Sequence, residues 1–330
     1  MKILFCQLRN HGDIIRSFPL IDAIKSIHPD WYIGFTCFME MVNTCKLSSN
    51  IDVIIPQPRF LPVTNTQGGT RILDCRIFQE CVEKVKREKF DIYIDLHGVF
   101  QSAMFGAMCN INTRLGRSSE TTKDGADLFY TDICLISNNE INRMERHFLV
   151  VNKLFPEITP IQGMHCAKNK VVIFPGSSKK GILKRWDINR YIQLANSINK
   201  DNEVIFVLGK EELELKGVIE QNDRYKIKIY NQWDQVVDEI EDAKLVIGND
   251  TAYIHLAIWK NIPVIEICGP LSPIVNGVWK YGKGETIFHE KRCKCPNLWN
   301  GICENAHECL EQITVETVLK VIEKYLLIER

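Results

Sequence analysis

Residues 2–28 read KILFCQLRNHGDIIRSFPLIDAIKSIH, and residues 170–198 read KVVIFPGSSKKGILKRWDINRYIQLANSI. Each stretch opens with an apolar run, passes through a loop containing glycine, and continues at helical spacing. In the first, KILFCQL (2–8) is a buried-strand run. Ile14, Ile15, Phe18, Ile21, Ile24 and Ile27 then share one face of a helix expected from Ile14 to His28. In the second, KVVIFP (170–175) is a strand and Trp186 to Ile198 a helix. A strand, a tight turn and a helix make half of a parallel βαβ unit. The same plan therefore starts twice in one chain.

Working outward, further strands are expected at 31–38, 51–56 and 91–97 in the first half. Helical segments are expected near 72–88 and from Asn142 to Phe155. The second half adds strands at 203–209, 226–230, 245–249 and 263–268. Its last helix is expected over 314–327, with Val315, Val318, Leu319, Ile322 and Tyr325 on one stripe. Pro156, Pro160 and Gly163 punctuate the stretch between the halves. The expected fold is α/β: two Rossmann-like doubly wound domains, 1–160 and 161–330, facing an interdomain cleft. In such sheets ligands sit beyond the carboxyl ends of the strands.

The 330 residues are enough for two cores. Lys+Arg 41 balances Asp+Glu 41, so no bulk charge marks a nucleic-acid binder. No apolar run approaches the roughly 20 residues of a membrane helix. The start lacks a small-residue cleavage site, so no signal peptide is expected. Thirteen cysteines in a chain of this length read as reduced thiols of a cytoplasmic protein rather than a disulfide scaffold.

Three loops carry the residue types that chemistry needs. Arg9-Asn10-His11-Gly12-Asp13 follows the first strand. Asp13 there is either an N-cap or a carboxylate able to take a proton from an acceptor hydroxyl. Phe174-Pro175-Gly176-Ser177-Ser178, with Lys179, Lys180, Lys184 and Arg185, is a small-residue turn whose N–H groups can approach a phosphate. It lacks the Walker A spacing. Gly248-Asn249-Asp250-Thr251 precedes a helix that holds His255. Asp250 or Thr251 caps this helix, or its free N–H groups receive a diphosphate.

These segments, in this order, resemble glycosyltransferase family 9, the heptosyltransferases of lipopolysaccharide assembly. Gly12-Asp13 with Pro19 is similar to the family's start. DIYIDLHGVFQSA (91–103) is similar to its D-x-x-I-D-x-(Q/H)-G segment, and FPGSSKKGILKRW (174–186) to its donor-phosphate loop. NDTAYIHLA (249–257), running on to Gly269-Pro270, is similar to its D-T-G-x-x-H-L-A signature. The resemblance implies a GT-B fold, with an acceptor domain first and a nucleotide-sugar domain second. It also implies that helix 314–327 packs back on the first domain. The implied activity is inverting transfer of heptose from ADP-heptose to a lipopolysaccharide core acceptor, with no cofactor. Asp13 is then the catalytic base, and Lys184 stabilises the departing diphosphate. Ser177, Ser178, Glu211 (or its neighbour Glu212), Asn231, Asp250, Thr251 and His255 bind the donor. Arg9, Arg114 and Arg117 are expected to meet an acceptor bearing phosphates or carboxylates. No nucleic-acid partner is expected, and an acceptor at the inner membrane implies peripheral contact. Ala252 departs from the pattern, standing where the family has glycine, and Tyr253 is bulkier than expected.

Cys293, Cys295, Cys303 and Cys309 fall in one stretch, with His307 nearby. Four thiols can hold zinc or iron, but the C-x-C pair is tighter than the usual metal spacing, so free thiols are the expectation. Three rival functions share this fold. They are a transferase using another nucleotide sugar or a protein acceptor, a silent nucleotide- or glycan-binding relative, and a nucleotide-sugar epimerase. A donor panel separates the first, nucleotide binding without transfer the second, and donor conversion without an acceptor the third.

Overall fold

The computed structural model describes all residues except 60, 63–70, 73, 199–201, 222–224, 291–294, 296–297 and 327–330. The chain forms two compact units, Met1–Ile161 and Gln162–Arg330.

The first unit holds six parallel strands: β1 (Lys2–Cys6), β2 (Tyr32–Phe38), β3 (Val53–Gln57), β4 (Ile92–Asp95), β5 (Thr113–Arg117) and β6 (Asp132–Cys134). They lie in the order β3-β2-β1-β4-β5-β6. This is the doubly wound order, with its switch point between β1 and β4. The second unit repeats it with β7 (Lys168–Phe174), β8 (Glu203–Leu208), β9 (Lys226–Ile229), β10 (Ala243–Asn249), β11 (Val264–Cys268) and β12 (Gly284–Phe288). Their order is β9-β8-β7-β10-β11-β12, again all parallel. The central strands are buried on both faces, as their unbroken apolar runs require.

Three strands of the two parallel sheets were not expected from the sequence: β5, β6 and β12. β5 reads TRLGR, β6 has three residues, and β12 opens on Gly284. Polar, short or glycine-led segments lack the apolar run that marks a core strand.

The helix expected from Ile14 to His28 is two helices, α1 (His11–Ile15) and α2 (Phe18–Ile27). Pro19 lies in the first turn of α2, where its missing N–H is tolerated, and so fixes a new start. In α3 (Cys75–Glu88) the Asp74 carboxylate accepts from the N–H groups of Arg76 and Ile77 at 3.1 Å each. α4 (Phe100–Met108) follows β4, and α5 (Arg143–Asn152) is capped by Asn142, whose Oδ1 accepts from Met144 N at 3.0 Å. The second unit adds α6 (Ile188–Ile198), α7 (Trp233–Ile240), α8 (Ala252–Trp259) and α9 (Val315–Leu326). Val318 and Ile322 of α9 enter the core of their own unit beside Trp186, Tyr191 and Leu310. Among the described residues no helix is long and apolar enough to cross a membrane.

Candidate functional site

In the first unit the switch point brings together the loop after β1 and the loop after β4. Asp13 lies inside α1 and does not cap it. The N-cap position belongs to Asn10, at φ 67°, with no side-chain cap bond. The carboxylate instead gathers cations. Its Oδ1 accepts from Arg16 Nη1 at 3.0 Å and from Arg143 Nη1, and its Oδ2 accepts from Asn10 Nδ2 at 2.9 Å. Asp13 is 9% exposed. Burial pushes its carboxyl up, but Arg143, then Arg16 and Asn10, outweigh that and hold it well below the usual carboxylate range. It is an anion at neutral pH.

The loop after β4 is built around Asp95. This buried carboxylate accepts from Ser102 Oγ at 2.6 Å, Tyr130 OH at 2.7 Å, His97 N at 2.8 Å and Gly98 N at 2.9 Å. Burial still raises its carboxyl above the ordinary value. Gly98 sits at φ +74°, and a Cβ there would meet Arg117 Nη2 at 2.4 Å. The turn thus presents His97, whose Nδ1 pairs with Gln7 Nε2 at 2.9 Å. Burial first, then Arg9, Arg117 and Arg143, lower His97 to about 3, against the pull of Asp13. His97 is therefore a neutral imidazole beside an anionic Asp13.

The expected acceptor arginines divide. Arg9 is exposed after β1. Arg114 is committed to backbone carbonyls of Phe129 (2.8 Å) and Ile111 (2.7 Å). Arg117 is buried and donates to the carbonyls of Leu96 (2.7 Å), His97 (3.0 Å) and Thr121 (3.3 Å). These two brace loops. The cations at Asp13 are Arg16 and Arg143, which sequence reasoning missed. Arg143 lies 130 residues from Asp13 in the chain, and no local pattern joins them.

In the second unit the loops after β7 and β10 flank the equivalent switch point. Asn249, at the end of β10, welds them. Its Nδ2 donates to Pro175 O (2.8 Å) and Gly176 O (3.1 Å), and its Oδ1 accepts from Trp186 N (2.9 Å) and Tyr191 OH (3.0 Å). Sequence reasoning passed over it as the last residue of a strand. Ser177 is buried, donates to Gly181 O at 2.8 Å and accepts from Arg185 Nε at 3.1 Å, so its hydroxyl fastens the loop. Ser178 is exposed at the start of the next turn. Lys184 Nζ donates to Asp250 O and lies 3.8 Å from Asp250 Oδ2, so the lysine of one loop meets the aspartate of the other. Thr251 is the N-cap residue of α8 without a side-chain cap bond, and its buried Oγ1 has no hydrogen-bond partner.

His255, one turn in, is buried with Nε2 at 3.3 Å from Asp250 Oδ1. Asp250, His255 and Glu266 bring their potential ligand atoms within 4.8 Å of one another. Glu266 Oε2 also accepts from Thr286 Oγ1 at 3.0 Å. Of the cysteine stretch, Cys293 lies outside the described residues and Cys295 is half-buried. Cys303 Sγ accepts from His307 N at 3.2 Å, and Cys309 is in the apolar core.

Glu211 is exposed and accepts from Lys179 N at 3.0 Å. Glu212 is buried, accepts from Gly209 N at 2.6 Å, and lies where a Cβ on Gly176 would meet it at 2.1 Å. Burial raises its carboxyl. Asn231 is exposed ahead of α7. The larger feature there is aromatic. The Tyr253 ring stacks on Phe174 with centroids 4.6 Å apart and lies 5.3 Å from Trp233. Burial, then Glu212 and Glu211, push the Tyr253 hydroxyl up to about 12.

The profile of glycosyltransferase family 9 (heptosyltransferase) matches residues 79–300. The chain belongs to that family. Lipooligosaccharide heptosyltransferase 2 of Haemophilus ducreyi is 30% identical, over 83% of this chain and 84% of that protein. Lipopolysaccharide heptosyltransferase 1 of Campylobacter coli is 24% identical, over 98% of each. The E. coli ADP-heptose lps heptosyltransferase II structure superposes with a TM-score of 0.75 at 19% identity, covering 100% of this chain and 99% of that one. The fold is thus GT-B, and this family 9 member is a glycosyltransferase.

Proposed function

We propose that this family 9 enzyme transfers heptose from ADP-heptose to a lipopolysaccharide core acceptor with inversion. The likeness to the H. ducreyi heptosyltransferase over 83% of the chain carries the reading. The second unit is the donor half, and the first unit is the acceptor half.

Asp13, ionised and at the carboxyl end of β1, takes the proton of the acceptor hydroxyl. The acceptor oxygen attacks the anomeric carbon from the face opposite the diphosphate. The bond to the diphosphate oxygen breaks, and ADP leaves with the bonding pair. Negative charge grows on that leaving group. Lys184 Nζ, the Thr251 hydroxyl, the open N–H groups of α8 and the turn around Ser178 supply fixed positive ends for it. Preorganised donors of this kind contribute about 3–4 kcal/mol each. Glu212, buried against Gly209, takes the ribose role rather than the exposed Glu211, and Trp233 with Tyr253 forms the wall near Asn231 on which the base rests. His255 orients Asp250, which holds sugar hydroxyls. None of these steps draws on a metal.

Mass spectrometry of the lipopolysaccharide core from a strain lacking this gene tests the reading. Loss of one heptose unit is expected; an unchanged core overturns it. With purified protein, transfer from a UDP- or GDP-sugar but not from ADP-heptose would overturn the donor assignment. The acceptor places the enzyme at the inner face of the membrane as a peripheral visitor.

A further inference from the structure

The cysteine-bearing stretch takes no part in the transfer steps, yet it lies against the loop after β7. The turn Leu298–Asn300 packs on the turn Lys179–Lys184 of that loop. Leu298 is buried and anchors the contact. Trp299, next in the chain, is 56% exposed, the most open of the six tryptophans. Its ring centroid lies 6.0 Å from Lys184 Nζ, within the range of a cation–π contact. Gly301, at φ +73°, turns the chain back, and a Cβ there would stand 3.6 Å from Ile182 Cγ2. Ile182 and Ile302 are exposed as well. Single exposed apolar side chains are ordinary, but a group of them on a polar loop marks a surface that something covers.

The far end of the stretch is fastened. Cys309 and Leu310 enter the core beside Trp186, Ile265 and Ile267. Arg190 Nη1 donates to the carbonyls of Leu310 (3.2 Å), Glu311 (2.9 Å) and Ile313 (2.9 Å), and Trp186 Nε1 donates to Ile313 O at 2.9 Å. Buried Leu298 on one side and Cys309 on the other thus hold the segment that presents the indole. A ring held in advance loses little freedom when a ligand covers it. Lys184 Nζ is the point shared with the rest of the site. It donates to Asp250 O and lies 3.8 Å from Asp250 Oδ2. A sugar joined to a diphosphate at Lys184, and held through its hydroxyls by Asp250, has the indole as its neighbour. The other aromatic surface lies towards β8, where the Tyr253 hydroxyl would be 3.3 Å from a Cβ on Gly209. An aromatic face is negative and the C–H face of a pyranose slightly positive, so the two attract as apolar area leaves water.

We propose that Trp299, backed by Ile182 and Ile302, is the platform on which the transferred sugar of a nucleoside diphosphate sugar stacks, and that it sets the preference for the intact donor over the free diphosphate. The proposal rests on the reading of the second unit as the donor half. Lys184 then answers to the diphosphate and Trp299 to the sugar. The two contributions separate, because a bare nucleoside diphosphate reaches the lysine and leaves the indole uncovered.

Calorimetric titration of the full-length protein compares each nucleotide sugar with its own diphosphate: ADP-heptose with ADP, UDP-glucose with UDP, and GDP-mannose with GDP. The wild-type protein is expected to bind one nucleotide sugar more tightly than its diphosphate. Trp299→Ala should cut that preference about fivefold, the worth of one aromatic stack, while the affinity for the bare diphosphate holds. Trp299→Phe, which keeps a ring, should restore most of it. Should Trp299→Ala fail to fold, Trp299→Leu, apolar without a ring, takes its place. Equal weakening of nucleotide sugar and bare diphosphate would mean that the indole only positions Lys184, and overturns the platform. An unchanged ratio in Trp299→Ala, or no preference for any nucleotide sugar in the wild type, overturns it as well. A sugar-dependent loss with a UDP- or GDP-sugar but not with ADP-heptose upholds the platform and rejects the donor named above. Heptose transfer from ADP-heptose with an unchanged ratio does the reverse.

Discussion

Asp13 is charged because two guanidiniums and an amide outweigh its burial, and this makes it a structural anion, with the base role proposed for it resting on the same charge. Asp13→Ala should abolish turnover while leaving ADP affinity nearly intact, as calorimetric titration with ADP would show. Turnover at the wild-type rate would reject it as base. The same variant leaves Arg16 and Arg143 without their shared carboxylate. Loss of a partner from a mostly buried pair destabilises by about 3 kcal/mol, which urea denaturation should show. His147 provides a pH test at this scale. It is buried, with Nδ1 at 3.3 Å from Arg16 O, and burial first, then Arg146 and Arg117, lower it to about 3. An unfolded histidine titrates near ~6.5. The folded value is the lower one, so the unfolded chain binds the extra proton between these limits. Stability is therefore whole above about pH 6.5 and falls as the pH drops towards 3. His147→Gln should flatten ΔG against pH in that window by up to about 1.4 kcal/mol per pH unit. An unaltered slope would mean that the imidazole is not held neutral.

Each site element is a strand end plus a side chain that fastens its loop. Asp95 does this for the turn after β4, and Asn249 does it for the two loops of the second unit. Asn249→Ala removes four hydrogen bonds and leaves the buried Trp186 N–H without its acceptor. A loss of about 2–4 kcal/mol is expected by urea denaturation, together with weaker ADP binding as the loop after β7 loses its anchor. A change under about 0.5 kcal/mol, the range of surface substitutions, would show that the weld is redundant. The sequence showed the elements that carry apolar periods and missed β5, β6 and β12, whose residues are polar, few or glycine-led. Helix α1–α2 was read as continuous because its apolar spacing runs through Ser17 and Pro19; the break comes from backbone chemistry that spacing does not encode.

For the whole molecule, two sheets of one topology have different loops at their switch points. The first carries arginines around a carboxylate; the second carries a lysine, small residues and an open helix end. Charge and loop size, rather than sheet topology, distinguish the two units. If the second unit holds the donor, ADP at about 100 times its Kd should stabilise the protein by about 2.7 kcal/mol. Amide hydrogen exchange should slow in the loops 175–184 and 249–252, with the first unit's loops unchanged. Slowing at Arg9–Asp13 instead would reverse the assignment.

The sequence by itself determined the α/β class, the strand and helix order of the central elements, and the family. These follow from local periodicity and from short motifs whose residues are neighbours in the chain. It also pointed to Asp13, Lys184, Asp250 and Thr251, because glycine-bearing loops after apolar runs are visible at short range. Only the tertiary structure decided that Arg114 and Arg117 brace loops, that Glu212 rather than Glu211 is buried, and that Arg16 and Arg143 hold Asp13. A side chain's partner depends on which strand ends the sheet order makes adjacent, and that adjacency joins residues 130 apart for which no local pattern exists.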